Sequence, residues 1–282
     1  MKTAILGLHA ETSIHAGAGS SLDVIDMPIQ REAHNNWPCI FGSSVKGALR
    51  AAANASKSPH VNAVFGPLNV TNEAYAGALL VGDARLLLFP VRSLTTHFKW
   101  ITSPAALRRL KRDAERLGLN LEFDVPEMPG EMKALACQEG EVFLEEYRFE
   151  MQQHDLGNLI KALGKISAVE FIADALANQL LILNDDDFSY LVQHAVPISP
   201  HIALESTTKS AKVGALWYEE TLPPETLLYV CLAAQDARSL DTHLPAETVM
   251  QSLADDFKAK PYLQIGGNET VGMGWFKVKV EA

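Results

Sequence analysis

The chain has 282 residues, 48% hydrophobic and 21% charged, enough apolar material for one large domain or two small ones and too little charge for long disorder. No run approaches 18 uncharged apolar residues, which excludes a transmembrane helix. The net charge of -10 divides unevenly: residues 1–118 carry 13 Lys and Arg against 8 Asp and Glu, a net of +5, and residues 119–282 carry 11 against 26, a net of -15. Overall acidity therefore does not exclude RNA, because polyanion binding needs only a local basic surface.

The opening MKTAILGLHAETS meets His9 and Glu11 before a signal-peptide core develops, so a cytoplasmic chain with no membrane partner is expected. Residues 3–14 alternate partly, as a half-buried strand does. A loop of about residues 15–40 follows, long for a compact domain, and such loops usually carry function. In GSSVKGALRAAANAS, Ser43 or Ser44 is expected to cap a helix from Val45 to Ala55, with Lys46 and Arg50 on one face. Residues 77–92 read as one or two strands interrupted near Asp83. Residues 104–117 read as a helix opening on Pro104, whose five basic residues form either a solvated or a binding face.

Residues 119–141 are acidic and proline-bearing and read as an inserted loop, within an insertion of about 93–141. A strand over 142–152 and short helices over 155–193 follow, with Asp185–Asp187 capping one of them. HAVPISPHIALESTTKSAKVGALWYEE reads as a long hairpin with a polar tip. A strand at 226–234, a helix at 245–258 and a glycine-rich turn into a last strand complete the chain. Strand–helix–strand early and again late is what a ferredoxin-like split β-α-β sheet needs, so the fold class is α+β, a single domain over 1–282.

Cys39, Cys137 and Cys231 are far apart, with no C-x-x-C pair and no H-E-x-x-H, and are expected to be reduced thiols in or near the core. Gly266-Gly267-Asn268-Glu269-Thr270-Val271-Gly272-Met273-Gly274 could turn backbone N–H groups toward an anion, or could simply be a tight turn. It lacks the P-loop lysine, and a strand follows where a dinucleotide site needs a helix. Asp23 and Asp26 lie in the early loop between His15 and His34. Such a carboxylate can accept a proton from a hydroxyl or help hold a cation, although a loop aspartate is more often a turn residue or a solvated charge. Neither a nucleophile elbow nor a dense carboxylate cluster is present.

Six segments in order, LHAETSIHAGAGSSLDVIDMPIQRE, PCIFGSSVKGALR, VFGP, GDARLLLFPVRS, GALWYEETLPPETL and LQIGGNETVGMGW, resemble the RAMP superfamily of CRISPR proteins. Within it, the whole chain resembles the repeated backbone subunits of type III-B Cmr effector complexes. The resemblance implies a ferredoxin-like (RRM-like) palm with inserted finger or lid elements, a thumb hairpin at about 194–216 and the glycine-rich loop 266–274. It implies stacking of further copies head to tail along a CRISPR guide RNA, beside other Cmr subunits, and endoribonuclease cleavage of complementary target RNA at flipped nucleotides. By position it makes Asp26 the catalytic aspartate, His15 a second catalytic candidate and Glu220 an active-site neighbour.

Guide contacts would then come from Ser43, Ser44, Lys46 and Arg50, from the thumb's Lys209 and Lys212, and from Gly266, Gly267, Gly272 and Gly274. Asp26 would act as base or orient Mg²⁺ or Mn²⁺ shared with RNA phosphates, since one carboxylate makes no tight cage. The acidic half of the chain either meets a neighbour's basic face or keeps an apolar-rich chain soluble. A non-catalytic RNA-binding scaffold and, remotely, an enzyme acting on a phosphorylated small molecule are the competing functions.

Overall fold

The computed structural model describes residues 1–68, 75–239 and 243–282. In chain order the elements are β1 (Lys2–Ala10), β2 (Cys39–Ile40), α1 (Gly42–Ala55), α2 (Val61–Phe65), β3 (Leu79–Arg92), β4 (Phe98–Thr102) and α3 (Pro104–Leu117). Next come β5 (Lys133–Ala136), β6 (Gly140–Leu144), β7 (Tyr147–Gln153), α4 (Gly157–Ile166), α5 (Ile172–Gln179), β8 (Leu180–Leu183) and α6 (Asp185–His194). The last are β9 (Ile198–Leu204), β10 (Ala211–Glu220), β11 (Leu227–Ala234), α7 (Ala246–Ala259), β12 (Tyr262–Gln264) and β13 (Trp275–Glu281).

One mixed sheet runs β12-β13-β1-β11-β3-β4-β8-β5-β7-β6, with β2 on β3, and β9 and β10 stand apart as a two-stranded ribbon. At its centre β13, β1, β11 and β3 are mutually antiparallel neighbours. β1 is buried from Ala4 to Ala10 rather than half-buried, because both of its faces are covered. Leu6 and Leu8 pack with Val45 and Leu49 of α1 and Val249 and Leu253 of α7. Ile5 packs the other way, with Leu107 and Leu110 of α3 and Leu163 of α4. Gly7 makes the second layer tight: a Cβ there would lie 1.9 Å from the Ile166 carbonyl oxygen. With both faces closed, this central part of the sheet offers no open face to a large ligand.

Several local expectations give way to longer-range contacts. α1 starts at Gly42 and neither serine caps it; instead Asp83 of β3 accepts the Gly42 N–H at 2.7 Å. Gly42 is needed there, since a Cβ would meet the Val81 carbonyl at 2.7 Å. β3 is continuous, and the break expected near Asp83 is a register shift against β11 between Val230 and Leu232. The inserted loop at 119–141 contains β5, which pairs with β7 and β8. Asn184, not the aspartates, caps α6 by accepting the Asp187 N–H at 2.7 Å, while Asp185–Asp187 fill its positively polarised first turn. The ribbon begins only at Ile198, because residue 194 closes α6. α3 matches its expected span, with Ser103 as cap, Pro104 in the first turn and Gly118 left-handed after its end. No helix among the described residues is long and apolar enough to cross a membrane.

Candidate active site

Residues 16–18 and 28–30 fold the early loop back on itself: Ala18 N–H donates to the Pro28 carbonyl at 2.9 Å and Gln30 N–H to that of Ala16 at 2.8 Å. This carries the turn 19–27 to the outer edge of β10. There the Asp26 carboxylate accepts the Tyr218 N–H through Oδ2 at 2.8 Å. Met27 N–H donates to the Tyr218 carbonyl, and Glu220 N–H to that of Met27, both at 3.0 Å. Asp26 is thus fastened, half-exposed, at the base of the ribbon with Oδ1 free of protein hydrogen bonds among the described residues. Asp23 stays in the exposed turn, where its N–H bonds the Ser21 hydroxyl at 3.1 Å.

His15 and Glu220 lie behind Asp26 and are buried. The His15 Nδ1–H donates to the Glu220 carbonyl at 2.8 Å, 3.7 Å from a Glu219 carboxylate oxygen. A Cβ on Gly17 would come 2.8 Å from His15 Nε2, so the loop wall closes over the ring. Glu220 spends both carboxylate oxygens internally, on the Ile29 N–H at 2.9 Å and on Arg31. Its place is to hold the loop segment that follows Asp26. Glu219, which bonds Asn268, and Arg31 complete this layer and carried no local sequence signal.

The glycine-rich segment leans on the same layer. Gly267 N–H donates to the His15 carbonyl at 2.8 Å and Gly274 N–H to that of Ser13 at 3.0 Å, so neither amide is free for a phosphate. At Gly266, φ is +101° and a Cβ would lie 2.5 Å from the His15 carbonyl oxygen. Gly272, with φ of +85°, faces open space. The segment is a tight turn at its two ends and presents only its middle outward.

On α1, Ser43 is exposed and Ser44 half-buried beside Gln30. Arg50 is held by Asn62 at 2.7 Å and the Gly66 carbonyl, which leaves Lys46 as the unpaired cation of that face among the described residues. Burial, and then Arg50, push the Lys46 pKa down, which disposes this ammonium to gain an anionic partner. The basic face of α3 is mostly solvated, with Arg108, Arg112 and Arg116 exposed even where they pair with Asp185 and Asp113. Of these arginines only Arg109 is tied inward, one guanidinium nitrogen meeting both Glu32 oxygens at 2.6 and 2.7 Å.

The ribbon places Lys209 at its turn and Lys212 on an exposed strand. Ile198, Pro200, Ile202 and Leu204 share one face with Leu216 and Tyr218, and all six are exposed. His201 and Trp217 stack on the other face at 5.3 Å. Burial of each large aliphatic side chain is worth about 1.5–3 kcal/mol, so this apolar face has much to gain from a partner.

The profile of the RAMP superfamily matches residues 8–277. The chain belongs to the RAMP superfamily. It is 37% identical over 293 residues to the CRISPR system Cmr endoribonuclease Cmr4 of Pyrococcus furiosus, covering all of this chain and 96% of that one. It is 24% identical to the CRISPR system CMR subunit Cmr4 of Saccharolobus solfataricus, over 95% of this chain and 92% of that one. A crystal structure of oligomeric Cmr4 from Pyrococcus furiosus superposes with a TM-score of 0.75 at 32% identity, covering 100% and 98% of the two chains.

In this RAMP chain the donors near Asp26 do not fit a resident metal. Among the described residues no three His, Cys, Asp or Glu side chains converge on a common point, and one Asp26 oxygen is already engaged by Tyr218. What the arrangement offers is a fixed carboxylate with one free oxygen, beside an apolar ribbon and a buried supporting layer.

Proposed function

We propose that this chain is the RNA-cleaving backbone subunit of a type III-B CRISPR effector complex. The observation that carries the reading is 37% identity, over the whole chain, to a Cmr endoribonuclease. The antiparallel order β13-β1-β11-β3, with α1 between β1 and β3 and α7 between β11 and β13, supports a ferredoxin-like palm. The ribbon β9–β10 would be the thumb and the elements between β3 and β9 the inserted finger. A guide RNA, complementary target RNA, other Cmr subunits and further copies stacked head to tail are the partners in this reading. The oligomeric state named for the Pyrococcus relative supports the last of these.

Cleavage in this reading uses the groups of the protein and of the RNA. A 2′-hydroxyl of the target attacks the adjacent phosphorus while Asp26 Oδ1 takes its proton. The 5′-oxygen leaves and is protonated by water, giving a 2′,3′-cyclic phosphate and a 5′-hydroxyl end. In-line attack is poorly reached in a stacked A-form helix, so the reacting nucleotide must be unstacked, and the apolar thumb face suits that wedge. Glu220, Arg31 and His15 hold Asp26 in place and do not touch RNA. Lys46, Ser43, Ser44, Lys209, Lys212 and the outward part of the glycine segment are the RNA contacts we propose, whereas Arg50 acts by fixing α2. Any Mg²⁺ or Mn²⁺ requirement would reflect ions brought by the RNA phosphates. Comparing wild type with Asp26→Asn on guide-matched RNA tests the proposal, and a scaffold role is what remains if cleavage does not depend on this residue.

A further inference from the structure

Beyond Asp26, an open cleft of about 350 Å³ lies between the turn joining β6 to β7 and the C-terminal end of α6. Its floor is aromatic. The Tyr190 ring stacks on His194 at 4.3 Å and meets Tyr147 edge-on at 5.4 Å. The two phenols share a hydrogen bond of 2.8 Å, and the His194 Nδ1–H donates to the Tyr190 carbonyl at 2.7 Å, so the rings are fixed without being covered. Tyr190 keeps 45% of its surface exposed. Tyr147 packs partly on the main core, whereas Tyr190 and His194 stay exposed and can gain from a partner.

The charges around the rim select the ligand. Arg92 is paired with Glu145 at 2.6 Å, and Glu146 adds a second, exposed carboxylate beside Tyr147. Two carboxylates against one guanidinium make the cleft itself suit a neutral planar ring, with the flanking phosphates kept outside the rim. The hydrogen bond to Tyr190, then desolvation, push the Tyr147 pKa up to about 12, so the phenol pair stays neutral.

The cleft is close to the proposed chemistry. Its wall ends at Pro197, one residue before Ile198 pairs with Glu220, and Asp26 sits on the opposite edge of β10 beside Tyr218. By strand geometry Pro197, at the end of the cleft wall, lies about 10 Å across the ribbon and about 10 Å along it from Asp26. A nucleotide that leaves the helix to expose its 2′-hydroxyl must put its base somewhere, and this exposed aromatic surface opens beside the foot of the ribbon.

We infer that the Tyr147–Tyr190–His194 cleft is a stacking site for a nucleobase displaced from the RNA next to the cleaved bond. This rests on the nuclease reading. The base is taken by its π-face, and the site tolerates any sequence because every base has one.

The test uses the assembled complex and a set of target RNAs, each with one 5-iodouridine at a different position around the cleavage point. Irradiation and peptide mapping are expected to give an adduct on Tyr190 or His194 from the position flanking the cleaved bond and from no other. Tyr190→Ala should lower that yield about ten-fold, and Tyr190→Phe should restore it, as stacking without the hydroxyl requires. Wild-type cleavage with adducts mapping only elsewhere, or with none, overturns the cleft and leaves the nuclease reading intact. Absence of guide-directed cleavage overturns the nuclease reading itself, and an adduct in the cleft would then support an RNA-binding site without catalysis.

Discussion

The Asp26 carboxylate and the Tyr218 main-chain N–H, 192 residues apart in sequence, meet at 2.8 Å and fasten the early loop to the foot of the exposed ribbon. This bond couples two elements that would otherwise move independently, a polar turn and a two-stranded ribbon held to the palm at one end. Any RNA gripped by the ribbon is thereby placed in register with the carboxylate.

The support behind Asp26 is separable from its chemistry. Glu220→Ala leaves Arg31, only 15% exposed, without its carboxylate and frees the Ile29 N–H. Breaking such a pair costs about 3 kcal/mol. Thermal melting should show this as a lowered midpoint, and hydrogen exchange should show faster exchange at Ile29. Cleavage should fall while guide binding persists. An unchanged midpoint would mean that the Glu220–Arg31 pair does not hold the loop.

The glycines differ in what they do. Gly266→Ala must place a methyl 2.5 Å from the His15 carbonyl at φ of +101°, whereas Gly272→Ala meets open space at φ of +85°. The first is expected to cost about 3 kcal/mol, combining strain with overpacking, and the second about 1 kcal/mol. Urea unfolding of the two variants measures the difference, and equal losses would contradict the packing role of residue 266.

How far these features were legible in sequence depended on whether their causes were local. α3 was readable to the residue, because its cap, first-turn proline, amphipathic stripe and terminal glycine all lie within 16 residues of chain. The start of α1 was not, since its capping carboxylate, Asp83, comes from a strand 41 residues away. β5 has only four residues and exists through its pairing with β7 and β8, which no periodicity announces. At the site, residue type and the RAMP resemblance singled out Asp26, His15 and Glu220. Only the fold shows that Glu220 spends its carboxylate internally, and that Arg31, Glu219 and Asn268 join it. Likewise, composition left the glycine segment open between turn and ligand loop, and the contacts with Ser13 and His15 decide for a turn at both ends.

Stability should fall in alkaline solution through the buried thiols. Burial raises Cys39 from its ordinary 9.0 to about 12 and Cys231 to about 11. Below pH 9 these thiols are neutral in both states and their full contribution is present. Above it the unfolded chain ionises them while the folded chain does not, so stability is lost as pH rises from about 9 toward 12. Tyr229, raised chiefly by burial, acts in the same direction. Denaturant midpoints measured across this range should decline, and replacing both cysteines by Ala should make the decline shallower. A flat profile would contradict the burial of these groups.

The most direct test of the account is guide-directed cleavage by complexes carrying wild-type chain or Asp26→Asn, with the product ends identified. Asn preserves size and the acceptor for the Tyr218 N–H while removing the basic oxygen. Target binding should be unchanged, the 2′,3′-cyclic phosphate product should appear at regular intervals with the wild type, and its rate should fall at least about 100-fold with the variant. Cleavage at an undiminished rate by Asp26→Asn would contradict the central claim and leave this chain as the RNA-holding scaffold of its complex.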